Sequence, residues 1–188
     1  MSEKFLKTGD LIGVANALLP ESEWSAAIAA SSRADSIYDH IGMVEVLPDG
    51  QVFVWNANPT DGVIAEPLDV FTVREEARVR KVFDVFRVTA AVNFDEVLEK
   101  MRPLAGLPYN FSFVKAEQSY YCSDLIARSF PENVFPAAPM HFEGDFWQGY
   151  YDELGIDIPE GQPGTHPNDM LAQANVVYIE NLRNLIYE

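Results

Sequence analysis

Cys122 is the only cysteine of the 188-residue chain and stands in SYYCSDLIARSF, at the start of an apolar helical pattern. His40 stands in YDHIGMV, at the start of an apolar run with strand character. A cysteine nucleophile needs a base and an electropositive cradle that lowers the thiol pKa. The first turn of a helix supplies such a cradle, because its backbone N–H groups lack intrahelical partners and the helix dipole favours an anion. Those amides can also hold the oxyanion of a tetrahedral intermediate. A packing role fits both residues as well. Leu125, Ile126 and Phe130 put the thiol on the apolar stripe of its helix, where a free cysteine is ordinarily inert. His40 fits equally as a satisfied edge histidine.

A histidine base needs a third group to fix its tautomer and orientation. Asn56, within VFVWNANP, is the candidate: counting back through a hairpin turn places it across from the strand start that carries His40. It fits just as well as the end of a strand before Pro59. His141 and His166 compete for the base role. Both lie in turn-like segments flanked by proline, and His166 in PGTHPND could reach a site from a loop.

The elements that must position these residues form a mixed α and β pattern. Leu11 to Ala15 is a short apolar run after the Gly9-Asp10 turn. Ser22 can cap a helix reaching Ser31, with Trp24, Ala27, Ile28 and Ser31 on one stripe. Ile41 to Leu47 and Gln51 to Asn56 flank Pro48-Asp49-Gly50, a hairpin signal. Val63 to Ala65 and Val79 to Val88 read as further strands. Asn93, with Glu96 three residues on, caps a helix that stops near Pro103 and Gly106. A second helix starts near Tyr121 and ends before Pro131, and another covers Phe146 to Leu154. GQPGTHPND reads as turns, followed by a last strand at Val176 to Ile179. The expectation is one α+β domain over residues 1–188, a mainly antiparallel sheet or half-barrel packed against helices.

Composition excludes several functions. A single cysteine rules out an internal disulfide, and no apolar run is long enough for a membrane span. LIGVANALL followed by AAIAA mimics a signal peptide, but Asp10 and Asn16 do not suit one, so the chain is expected to be cytoplasmic. Net charge is −16, and residues 132–188 carry ten acids against one base, Arg183. That field repels phosphate backbones, which argues against nucleic acid and favours a cationic or neutral substrate. Glycine spacing gives no dinucleotide loop, P-loop or nucleophile elbow, and the histidines and cysteine show no metal spacing. No cofactor or metal is expected.

The segments GDLI (9–12), YDHIGMV (38–44), VWNA (54–57), GLPYNFSF (106–113), YYCSDLI (120–126) and PGTHPNDM (163–170) resemble, in this order, the YiiX/YebB-like group. These are circularly permuted papain-like cysteine hydrolases of the NlpC superfamily, and the permutation accounts for histidine preceding cysteine. The resemblance implies Cys122 as nucleophile and His40 as base, and it is the main reason to prefer His40 over His141 and His166. Asp39 departs from the usual serine, Asp124 stands where glutamate is common, and Asn56 falls where many relatives have glutamate. Tyr109, thirteen residues before the cysteine, resembles the tyrosine beside the oxyanion site. The implied activity is thiol hydrolysis of an amide, peptide or ester through a thioester, on a small amine-bearing peptide or cell-wall fragment. The alternatives are an idle ligand-binding protein on the same fold and a lipid acyltransferase.

Overall fold

The computed structural model describes residues 5–16, 22–32, 37–76 and 81–186. In chain order the elements are β1 (Leu11–Asn16), α1 (Glu23–Ala30), β2 (Tyr38–Val46), β3 (Val52–Asn58), β4 (Gly62–Pro67), α2 (Leu68–Glu75), β5 (Lys81–Val88) and α3 (Phe94–Met101). A single 3-10 turn, Arg102–Leu104, extends α3. There follow α4 (Cys122–Ser129), β6 (Ala138–Pro139), α5 (Phe146–Leu154), β7 (Pro163–Gly164), α6 (Pro167–Leu171), β8 (Val176–Asn181) and α7 (Leu182–Ile186). Six strands form one sheet in the order β4-β3-β2-β1-β5-β8, every pair antiparallel. The expected α+β architecture, an antiparallel sheet packed against helices, is what the chain adopts. Among the described residues no helix is long and apolar enough to cross a membrane.

Alternation along the strands divides the apolar residues between two faces. Leu11, Ile41, Met43 and Trp55 pack with Leu125 and Ile126 of α4 and Met101 of α3. Ile12, Val14, Val44, Val54 and Val85 pack with Phe71 of α2 and Leu182 of α7. Complete burial of one such side chain contributes roughly 1.5–3 kcal/mol, so both faces support the sheet. Gly13 in β1 has a packing reason: a Cβ there would lie 2.7 Å from Leu171 Cδ1 and 2.9 Å from Tyr38 Cδ1. Asp10, in the turn before β1, is buried and held bidentately by Arg87 at 2.7 and 2.8 Å.

Local signals and structure agree in most places. Ser22 caps α1 by accepting from the Ser25 amide at 3.2 Å, and Leu47 N–H donates to Gln51 at 2.8 Å across the Asp-Gly turn. Asn93 caps α3 through the Asp95 amide, while Glu96 takes up the Asn93 side-chain amide rather than a backbone N–H. Three places differ. Leu68–Glu75 is a helix with no side-chain cap, started by Pro67 after β4. The PGTHPND stretch contains β7 and then α6, whose N-cap is His166 and whose first residue is Pro167. Helix α7 follows β8 directly. The expected start of β5 at Val79 lies outside the described residues.

One turn matters for the site. Gly62 opens β4 at φ 71°, and a Cβ there would collide with the Leu107 carbonyl. That carbonyl accepts from Val63 N–H at 2.8 Å, and Gly106 N–H returns a 2.8 Å bond to Val63. The segment leading into Tyr109 is thereby clamped onto β4. Gly62→Ala adds both a left-handed-region penalty and the clash, and it is expected to destabilise the fold by about 1–3 kcal/mol in urea unfolding. An unchanged midpoint would show that the clamp is not needed.

Candidate active site

Cys122 is the first residue of α4, after the extended Tyr121, and it is buried. Its helix lies across β2 and β3, anchored by the fully buried Leu125 and Ile126. The backbone amides of Ser123, Ile41 and Cys122 itself lie against the sulfur and favour its anion. The Ile41 contribution comes from the sheet. The β2–β3 ladder runs from Met43–Trp55 to Val46–Val52, and Ile41 lies before its first rung. Ser123 and Thr165 hold the same turn, with the Ser123 hydroxyl donating to Thr165 O at 3.1 Å and the Thr165 amide donating to the Tyr121 hydroxyl at 3.1 Å.

The thiol pKa does not follow the expectation from helix position. Burial pushes it up to about 12; the Ser123, Ile41 and Cys122 amides lower it, while the nearby Asp39 carboxylate raises it further. Desolvation outweighs the helix start here, because the charged form loses its water before it gains enough donors. Asp39 sits where the β1–β2 register slips between Val14–His40 and Ala15–Tyr38. It accepts from Asn16 Nδ2 at 3.2 Å, and its own pKa is raised by burial, against the lowering effect of Lys81.

His40 pairs across from Val14 on the α2 face of the sheet, and its ring stacks on Phe71 with centroids 6.1 Å apart. Its Nε2 is buried without a hydrogen-bond partner. No hydrogen bond between His40 and Cys122 occurs among the described residues, although the sulfur contacts the amide of the very next residue. The other histidines are committed elsewhere. His166 donates from Nε2 to Ile28 O at 2.6 Å and accepts from the Asn168 amide at Nδ1, so it caps α6 and ties it to α1. Burial lowers its pKa. His141 lies between Glu160 at 3.0 Å and Glu143 at 2.8 Å on the surface.

Asn56 is fully buried on the face that carries His40, but its bonds run to other partners. Its Nδ2 donates to Glu66 Oε1 at 2.8 Å, and its Oδ1 accepts from Arg74 Nη2 at 3.3 Å and Asn58 Nδ2 at 3.4 Å. The expected acceptance from the imidazole is therefore not made. The position also needs correcting: continuing the Met43–Trp55 register backwards sets Asn58, not Asn56, opposite His40, with Asn56 opposite Gly42. Leu47 faces Gln51 across the turn in the same register, so the expected His40–Asn56 pairing was two residues out.

Tyr109 is buried, and its pKa is raised first by burial and then by its proximity to Cys122. It borders two cavities. One, of about 420 Å³, is lined by Cys122, Phe113, Met140, Phe142 and Trp147. The other, of about 600 Å³, holds His40, Asp39, Arg74, Glu75, Lys81 and Trp24. Tyr109 and Ile28 line both, so a molecule spanning them passes the tyrosine. Sequence reasoning missed the Glu66–Arg74 pair altogether, because it arises from β3–β4 pairing and the unanticipated α2. Asp39 was visible beside His40, but its effect on the thiol needed the register slip.

An antiparallel sheet with a cysteine-headed helix across it, and a histidine strand earlier in the chain, defines a permuted papain-like protein. The chain belongs to the permuted papain-like amidase enzymes of the YaeF/YiiX, C92 family, whose family model matches residues 6–178. Among solved structures it is similar to the metalloprotein yiiX from Escherichia coli O157:H7, with TM-score 0.74 and 21% identity over 93% of this chain and 97% of that one. No curated protein matches the sequence. That neighbour is described as a metalloprotein; among the described residues here, no three His, Cys, Asp or Glu side chains gather into a group that could hold a metal ion.

The electrostatics of the thiol can be tested through Asp39. Asp39→Ser removes a buried carboxylate near the sulfur, so the thiolate becomes easier to form. The pH midpoint for alkylation of Cys122 by iodoacetamide is expected to fall by about one unit. A midpoint that rises or stays in place would contradict the assigned contact.

Proposed function

We propose that the protein hydrolyses an amide or peptide bond, with Cys122 as nucleophile and His40 as general base. One observation carries this reading: the Cys122 sulfur lies against the amide of Ile41, the residue that follows His40 in β2, and His40 is the histidine with a buried ring nitrogen that no partner occupies. With its pKa raised, the resting thiol is protonated at neutral pH, so proton removal has to accompany attack. His40 takes the thiol proton as sulfur bonds to the carbonyl carbon. The carbonyl oxygen becomes an oxyanion supported by the Cys122 amide and the Tyr109 hydroxyl. Collapse expels the amine, which receives the proton from His40 and leaves a thioester on Cys122. Water, deprotonated by His40, then hydrolyses the thioester and restores the thiol.

In this reading residues 1–188 act as one domain related to the NlpC superfamily, and a cytoplasmic setting suits a lone reduced thiol. The substrate is a small amine-bearing peptide or cell-wall fragment. The net charge of −16 and the presence of Asp39 and Glu75 in the larger cavity support a cationic or neutral group there, although Arg74 and Lys81 offset part of that charge.

A second reading, a binding protein with an idle pair, draws support from the thiol pKa of about 12. Hydrolysis of fluorogenic amide and peptide substrates by Cys122→Ser and His40→Ala separates the two. Each variant is expected to lose at least about a hundredfold in kcat while keeping its fold by circular dichroism. Residual hydrolysis by Cys122→Ser equal to that of the parent would rule out the proposed nucleophile.

A further inference from the structure

We propose that Glu66 is a positioning residue for the His40 base, acting through Asn56; this rests on the catalytic reading of Cys122 and His40 given above. Glu66 and Asn56 are both buried, at 4% and 0% exposure. Three bonds close a ring: Asn56 Nδ2 donates to Glu66 Oε1 at 2.8 Å, Arg74 Nη2 pairs with the same oxygen at 2.8 Å, and Arg74 Nη2 also donates to Asn56 Oδ1 at 3.3 Å.

The ring fixes which way the Asn56 amide faces. An ionised carboxylate only accepts and a guanidinium only donates. The Asn56 atom against Glu66 must therefore be the NH2, and the atom against Arg74 must be the oxygen. The opposite flip would set oxygen against carboxylate and NH2 against guanidinium, breaking both contacts. Asn56 thus offers an acceptor on the face from which His40 projects, two residues along the strand from Gly42, whose ideal Cβ lies 3.7 Å from Asn56 Cβ. Both bonds to Oδ1, at 3.3 and 3.4 Å, are long, and a stronger donor can replace the longer one, from Asn58, while the Arg74 bond keeps the amide in place.

His40 Nε2 is a donor of the required kind, buried and without a partner. Catalytic hydrogen bonds commonly tighten only when the reacting complex forms. An Nε2–H directed at Asn56 Oδ1 leaves the Nδ1 lone pair for the Cys122 proton. Glu66 also neutralises Arg74, which lines the same cavity as His40. Glu66 is thus placed to supply, one hydrogen bond removed, the negative charge that an asparagine at position 56 does not carry.

The test uses the 15N-histidine-labelled protein at about pH 8, where an ordinary imidazole is neutral, with iodoacetamide as the probe of Cys122. Wild-type His40 is expected to carry its proton on Nε2 in long-range 1H–15N spectra. Glu66→Gln keeps an acceptor for Asn56, so the tautomer holds and the alkylation rate falls only about threefold. Glu66→Leu frees the amide to turn, so the tautomers mix and the rate falls about tenfold. A wild-type His40 protonated on Nδ1 would overturn the proposal whether or not Glu66→Leu folds. So would a folded Glu66→Leu with the parental tautomer and rate. If His40→Ala itself leaves alkylation unchanged, the catalytic pairing fails; if only the Glu66 variants do, the positioning role alone fails.

Discussion

The site depends on one contact, the Cys122 sulfur against the amide of Ile41. It joins the start of a helix to a strand far earlier in the chain. The contact requires α4 to lie across β2 and β3, which the buried Leu125, Ile126, Ile41 and Met43 enforce by packing on one face. It also requires β2 to keep its register with β1 up to the slip that carries Asp39. Seen this way, much of the hydrophobic core serves to bring one sulfur to one N–H.

Burial has an opposing consequence. Backbone donors from two elements favour a thiolate, yet desolvation and Asp39 favour the thiol, and the thiol prevails at rest. A protonated resting cysteine is protected from adventitious chemistry and reacts only when a base takes its proton as the new bond forms. In the proposed mechanism that base is His40. The cavities divide accordingly: an apolar one around Cys122 and a charged one around His40, meeting at Tyr109. A substrate with unlike ends fits such a division.

Much of the fold was legible because its signals are local. The Ser22 cap, the Asp-Gly turn and the apolar stripe after Cys122 each state their element within a few residues. Helix α2 was not legible: Leu68–Glu75 has no capping side chain, and its apolar residues show no strong stripe. Helix α6 was hidden because His166 is an uncommon N-cap and the surrounding Gly and Pro read as turn. In the site, Cys122, His40 and Tyr109 stood out by residue type and motif order. The partners of Asn56 did not, since Glu66 and Arg74 reach it only after β4 and α2 have folded back. Charge balance in a buried site is a tertiary property, and so the thiol pKa came out opposite to the helix-start argument.

The most direct measurement of the central claim is intact-mass spectrometry of the protein, acid-quenched during turnover of an activated acyl ester and then mapped by peptide digestion. The account predicts a single acyl adduct on Cys122, formed in the wild type and strongly reduced in His40→Ala. An adduct on another residue, or turnover with no covalent species on Cys122, would contradict it.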